Sequence, residues 1–338
     1  MLFVSASPEL DAHDTGPYHP ERPERVAAAL DGIEAAGLTD AVVRLPPRQA
    51  TKEELERVHT AAYLQMIEDF CASGGGSLDS DTVVSRGSWN TALLAAGGAL
   101  AAVDALASSG EGVAFVAHRP PGHHATADQA MGFCLLNNVA IAAASLLARG
   151  ERVLVLDWDV HHGNGTEAIF WDEPGLFYVS THQSPLYPGT GDPRATGGKN
   201  APALNMNIAL PPGATGDVFL YALDEIVAPA VEGFGPSWVL VSSGFDAHAS
   251  DPLANLDLSA GDFADLAARA QSFAPAPGRV VVVLEGGYDL TAISRSAGSV
   301  LAALLGEDYR PEPATSGGPG KSAVEHAGQV HRAARNAG

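Results

Sequence analysis

Residues 153–166 read VLVLDWDVHHGNGT, an apolar run that leads straight into Asp157, Asp159 and His161 at alternate positions. Strand side chains repeat every two residues, so the alternation predicts all three polar groups on one face at the end of a strand. Burying two carboxylates and an imidazole side by side is unfavourable unless a cation or a proton relay compensates them. A metal is the simplest compensator. One Asp oxygen and one His nitrogen supply two ligands of a zinc-type site, and a third protein ligand from elsewhere in the chain would leave an open position for water.

The same sequence of apolar run and polar end recurs along the chain. Val113–Ala117 (VAFVA), Leu176–Val179 (LFYV), Trp238–Val241 (WVLV) and Val280–Leu284 (VVVVL) join Val153–Leu156 as short, β-branched-rich runs. Such runs read as strands buried on both faces. Ala-rich stretches with apolar residues three and four apart lie between them: 88–107, 135–149, 216–232, 260–273 and 291–305. These predict helices. The alternation gives an α/β fold built on a parallel sheet with helices on both faces.

Open α/β sheets bind ligands at the carboxyl ends of their strands. Here those ends read His118-Arg-Pro-Pro-Gly-His-His, Asp157-Trp-Asp-Val-His-His, Ser180-Thr-His, Ser242-Ser-Gly-Phe-Asp246 and Glu285-Gly-Gly-Tyr288. Five distant segments thus converge on one rim, which core packing does not explain. No internal repeat is visible. The tract RPEPATSGGPG at 310–320 reads as a linker, dividing a domain at 1–308 from a peripheral segment at 309–338 that ends in a short helical tail.

Composition narrows the function classes. The chain has 338 residues, 46% of them hydrophobic, enough for one large core or two modest ones. The apolar stretch around Ala92–Val103 stops at Asp104, too short to span a bilayer, and no basic segment precedes an apolar run at the N-terminus. Only Cys71 and Cys134 are present, so metal ligands must be His and carboxylate. The net charge of −21, with three scattered lysines, argues against nucleic acid, and the short apolar stretch against a membrane partner. The Lys-poor, Ala/Gly/Arg-rich composition and the lack of a recognisable targeting segment lead to the expectation of a cytoplasmic protein. An acidic surface suits a cationic substrate, and equally general solubility.

Asp246, after SWVLVSSGF, is the candidate third ligand beside Asp159 and His161; a turn or N-cap Asp is the alternative reading. Two carboxylates and one imidazole favour Zn²⁺, with Fe²⁺ or Co²⁺ as alternatives. His123 and His124 sit in a loop after Pro120-Pro121-Gly122, where adjacent imidazoles are not expected both to face the core. Such a pair beside a metal offers one group to move a proton between water and a leaving amine and another to stabilise charge. Asp157 is available to orient one of them. Tyr288, projecting after two glycines, can donate to an oxyanion.

Taken together, RPPGHHA, GFCLLNN, LDWDVHHGNGT, SSGFDAHASDPL and LEGGYDL, with HPERPER beginning at His19, resemble the zinc-dependent histone deacetylase family, most nearly its class II and bacterial amidohydrolase members. The match spans roughly 13–305. It implies the arginase/deacetylase fold, a single domain around a parallel sheet of about eight strands. It also implies a zinc-dependent amidohydrolase that removes acetyl or short acyl groups from lysine side chains by metal-activated water.

By position, Asp159, His161 and Asp246 match the zinc ligands of one ion per chain. His123 and His124 match the tandem catalytic histidines, Asp157 the carboxylate holding His123, and Tyr288 the carbonyl-polarising tyrosine. We favour His124 as the acid/base group, with His123 mainly electrostatic. Asn164 stands where class I members carry a second Asp, so the partner of His124 is neutral, as in class II. Phe133 and Tyr187 match the aromatics of the acyl-lysine tunnel, and Arg25 resembles the arginine of an inner acetate channel. The carbonyls of Asp157, Asp159 and His161 with Ser180 resemble a structural K⁺ or Na⁺ site. Leu253 falls where polyamine-selective relatives carry a glutamate, which favours acyl-lysine proteins or peptides over small acylated amines. Asp79 or Asp81 resembles a residue that binds the substrate backbone, or is a solvated loop Asp. Cys134 reads as a small buried residue.

Three competitors remain. An acetylpolyamine or other small acylated amine would use the same chemistry. A binuclear manganese hydrolase shares the fold but needs further bridging carboxylates. An acyl-lysine binding module would need no turnover. The sequence leaves a homo-oligomer open.

Overall fold

The computed structural model describes residues 1–7 and 10–337. Its strands are β1 (Leu2–Ala6), β2 (Val42–Arg44), β3 (Gly75–Ser77), β4 (Val83–Ser85), β5 (Val113–Ala117), β6 (Val153–Asp157), β7 (Leu176–Gln183), β8 (Asn205–Leu210), β9 (Trp238–Ser243) and β10 (Val280–Leu284). Eight of them form one sheet in the order β2-β1-β5-β10-β9-β6-β7-β8, and its pairings are parallel. Only β3 and β4 stand apart, as an antiparallel pair.

The helices are α1 (Glu24–Ala35), α2 (Lys52–Leu55), α3 (Ala61–Ala72), α4 (Ser88–Ser109), α5 (Asn138–Leu147), α6 (Asn164–Phe170), α7 (Gly216–Ala222), α8 (Ala228–Phe234), α9 (Ala260–Ser272), α10 (Leu290–Leu305) and α11 (Lys321–Ala337). They divide the core in two. Phe115, Leu154, Val241 and Val282 point to the side covered by α1 and α7 to α11, whereas Ala114, Val116, Val155 and Val283 point to the side covered by α2 to α6. Alternate residues of one strand thus enter opposite cores, and VVVVL and VLVL need no polar face.

Several expectations change. The helix expected at 135–149 starts at Asn138, because the side chain of Asn137 accepts the Ala140 N–H at 3.0 Å and caps it. That at 216–232 is interrupted by a π-helical turn at Leu223–Val227. The apolar stretch near 92–103 belongs to a helix of 22 residues, long and apolar enough to cross a membrane by length and composition; two thirds of that window is buried between the sheet and its neighbours. Asp104 did not end it because its side chain leaves the core and pairs with Arg149.

The segment at 309–337 is not peripheral. Val324, Ala327 and His331 of α11 are buried, with His331 Nε2 2.9 Å from the carbonyl of Ala203 and its ring stacked on Phe177. In the linker, Glu312 accepts from His248 Nε2 at 2.8 Å and from the Ala260 N–H at 2.9 Å.

Two buried histidines give the fold a defined acid response. His59 Nδ1 lies 2.9 Å from the Thr126 carbonyl and its Nε2 accepts the Asn137 N–H at 3.0 Å, so the neutral ring is what the site holds. Burial lowers its pKa to about 4, and burial does the same to His118. The unfolded chain takes up these protons near pH 6.5 and the folded chain near pH 4. The stability they contribute is therefore complete above about pH 6.5 and is lost as pH falls towards 4. Urea midpoints should drop across that window, and His118→Gln should make the drop shallower.

Candidate active site

β5, β10, β9 and β6 are neighbours at the centre of the sheet, and the loops after their carboxyl ends meet. β6 ends at Asp157, so Asp159 and His161 lie on the following loop and not, as expected, on the strand itself. The loop is held by its neighbours: the Val160 N–H donates to Asp246 Oδ1 at 2.9 Å, and the Gly286 N–H to Asp159 Oδ2 at 2.8 Å.

Asp159, His161 and Asp246 offer ligand atoms that all lie within 4.8 Å of one another. Both carboxylates are fully buried. Asp246 Oδ2 is buried without a hydrogen-bond partner, and His161 Nδ1 is 3.3 Å from it and 3.1 Å from Asp159 Oδ1. A buried, unpartnered carboxylate oxygen facing a second carboxylate and an imidazole fits a small divalent cation.

His123 and His124 are both buried, their rings side by side at 4.1 Å and tilted by 44°. The expectation that both cannot face inward was wrong, because the loop is gathered from below. Glu285, at the end of β10, accepts the N–H groups of Gly122 at 2.7 Å and His123 at 3.1 Å through one carboxylate oxygen. His123 Nδ1 meets Asp157 Oδ2 at 3.0 Å, and His124 Nδ1 meets Asn164 Oδ1 at 2.8 Å.

The different partners separate the two rings. Burial opposes a charge on His123, but the carboxylates of Asp159 and Asp157 outweigh it and raise its pKa to about 10. Burial, then the positive charge of His123 and His161, hold His124 well below the ordinary value. Two adjacent titratable groups driven apart in this way suit the division between a charged group and a neutral base.

Tyr288 is nearly buried, its phenol pushed well above the ordinary value chiefly by burial, so it remains a donor. Its backbone N–H donates to Asp251 Oδ2 at 2.7 Å. Arg25, fully buried, lies 4.9 Å from the Tyr288 ring centre and donates to the carbonyls of Glu285 and Gly287. Phe133 stands edge-on to Tyr288 at 5.8 Å, and Tyr187 edge-on to His124 at 5.2 Å. Phe133 adopts a left-handed backbone (φ 68°), a strained conformation for an aromatic residue. A Cβ on the preceding Gly132 would come within 2.4 Å of His124 Cδ2, so a side chain there would collide with the His124 ring.

The remaining expected residues lie further out. Ser180 is paired with Asp157 across β6 and β7, its hydroxyl 2.9 Å from His182 Nδ1. Leu253 is 39% exposed, on the loop that carries Asp251. Asp79 accepts the N–H groups of Asp81 and Thr82, closing a turn. Cys134 is fully buried. Reading the sequence assigned no role to Glu285, Asp251 or Tyr178. A carboxylate directly after VVVVL was the available signal for Glu285; a tyrosine inside LFYV gave none.

A parallel eight-stranded sheet carries a two-carboxylate, one-histidine triad and a buried histidine pair at its carboxyl edge, an arrangement that suits metal-assisted hydrolysis. A family model described as the histone deacetylase domain matches residues 19–304. A "Probable deacetylase" of Archaeoglobus fulgidus is 41% identical over 315 residues, 89% of this chain and 88% of that protein. The "Histone deacetylase-like amidohydrolase" of Pseudomonas aeruginosa is 40% identical over 293 residues, 85% of this chain and 77% of that protein. The crystal structure of the HDA15 HD domain superposes with a TM-score of 0.90 at 32% identity, covering 98% of this chain and 94% of that one. The chain belongs to the histone deacetylase family.

Proposed function

We propose that the protein hydrolyses the amide of an acetylated or short-acylated lysine side chain, with one Zn²⁺ held by Asp159, His161 and Asp246. The observation that carries this reading is the buried histidine pair beside that triad, flanked by Phe133 and Tyr187. Aromatic walls bury the methylenes of a lysine stem without presenting unsatisfied polar groups. Bound at the triad, Zn²⁺ supplies Lewis-acid polarisation of the amide carbonyl and of the attacking water.

The protein's own groups do the rest. His124, neutral, takes a proton from the attacking water at its free Nε2 and returns it to the leaving nitrogen, while Asn164 holds its Nδ1. Tyr288 donates its hydroxyl to the carbonyl oxygen as negative charge develops there. His123 keeps its proton, fixed by Asp157, and offsets that charge. Water and amide thus become a carboxylate and an ammonium group, both protons of the water ending on the leaving nitrogen. Arg25, 4.9 Å from the Tyr288 ring centre, would be the cation that receives a carboxylate released inward. Ser180 with the carbonyls of Asp157, Asp159 and His161 would hold K⁺ or Na⁺.

Leu253 offers no charge to a second ammonium, which favours lysine over polyamine. The test is turnover of an acetyl-lysine peptide beside N-acetylputrescine and N-acetylspermidine, each with zinc-loaded protein. Peptide should be preferred in kcat/KM. Preference for either polyamine would overturn the lysine assignment, and no turnover of any of them would overturn the hydrolase reading for this substrate class.

A further inference from the structure

We infer that Tyr178 is a positioning residue of the reaction, acting through Asp157 on His123; this rests on the role given to His123 above. Tyr178 lies in the middle of β7, 1% exposed, and pairs with Val155 in register. Its hydroxyl reaches Asp157 Oδ2 at 2.9 Å, the same oxygen that holds His123 Nδ1 at 3.0 Å. The carbonyl of Gly163 is also near, at 3.1 Å.

A phenol has one proton to give. If it went to Gly163, two oxygens 2.9 Å apart would face each other with no proton between them, so the carboxylate takes it. Burial and the adjacent Asp157 push the phenol well above its ordinary pKa, which keeps the proton in place. The junction is closed. A Cβ on Gly163 would lie 2.3 Å from both Asp157 Oδ2 and the Tyr178 hydroxyl, and 3.0 Å from His123 Nδ1, so no side chain fits between them.

Asp157 therefore divides its charge between two donors on one oxygen. Tyr178 fixes the rotation of the carboxylate and, through it, the orientation of the His123 ring and its Nδ1–H. It also limits how strongly Asp157 can draw on that proton. A residue serving only to fill the core between β6 and α6 would do neither.

The test is Tyr178→Phe, which keeps the ring and removes the hydroxyl, in zinc-loaded protein. With the peptide, kcat should fall about tenfold and KM stay within about twofold, in the lower part of the range for an outer partner of a metal site. The proton spectrum supplies a readout that packing would not move. The downfield Nδ1–H resonance that disappears in His123→Ala should shift further downfield in Tyr178→Phe, since the carboxylate then has one donor fewer. Site-specific 3,5-difluorotyrosine at 178, a stronger donor of nearly the same shape, should move it upfield, and this measurement stands if the phenylalanine variant does not fold. In an Asp157→Asn background Tyr178→Phe should cost nothing more. A resonance that stays fixed in both proteins, or an undiminished cost in the Asn background, would overturn the inference. The resonance can be read without substrate, so failure of the lysine reading leaves it intact.

Discussion

Replacing His124 with alanine is expected to lower kcat on an acetyl-lysine peptide about a thousandfold, within the range for losing a positioned acid-base group, with KM little changed. The reason lies in how differently the two adjacent rings are treated. His124 has a neutral partner in Asn164 and lies beside the charged ring of His123, so its own ring stays neutral, with Nδ1–H held by Asn164 and Nε2 able to accept a proton. His123 is bound to a carboxylate that holds its proton in place. A bound divalent ion would offset the pull of Asp159, but Asp157 and Glu285 still favour the charged ring. His123→Ala should consequently cost less than His124→Ala and should not be repaired by raising the pH. Equal losses in the two variants would contradict the division of roles.

Asp246→Asn should abolish both zinc binding and turnover while leaving the fold in place. The substitution keeps an acceptor for the Val160 N–H, which Oδ1 now receives at 2.9 Å, and removes charge at the oxygen that has no hydrogen-bond partner. Zinc added to the chelated wild-type protein should raise its melting temperature, because a ligand present at a thousand times its dissociation constant stabilises by about 4 kcal/mol. The Asn variant should show no such rise and should contain less than a tenth of the wild-type zinc by elemental analysis. A normal zinc content would remove Asp246 from the ligand set. A lost melting transition would show that the carboxylate is needed for folding.

The parts of the molecule that sequence reveals are those in which one short segment carries the whole signal. VVVVL and VLVL read as central strands because both their faces are buried. NMNIAL at 205–210 does not, because Asn205 and Asn207 turn inward to donate to Glu167, and the polar alternation imitates a surface strand. LFVSA at 2–6 mixes Ser5 into the core, where it meets His118 at 2.9 Å. Val42–Arg44 is an edge strand of three residues, too short to show a period. Among the site residues, the triad and the histidine pair announce themselves by spacing, since several polar groups stand together where one would be ordinary. Glu285, Asp251 and Tyr178 each appear alone in an apolar or turn context. What they do arises from contacts of 37 to 163 residues along the chain for the two carboxylates, and 21 for the phenol. A single sequence carries no trace of such pairings.

The tail helix α11 has a consequence for how the protein behaves in company. β8 is the last strand of the sheet, and α11 rests against it with Val324 and Ala327 buried in the same core as Met206, Ile208 and Leu210. At the other end the sheet finishes in the three residues of β2. Long bare edges invite pairing between molecules, and a short strand or a covering helix is how such pairing is avoided. Loss of residues 310–337 would uncover an edge strand and its apolar neighbours together, turning a chain that carries a net charge of −21 into one that sticks to its own copies.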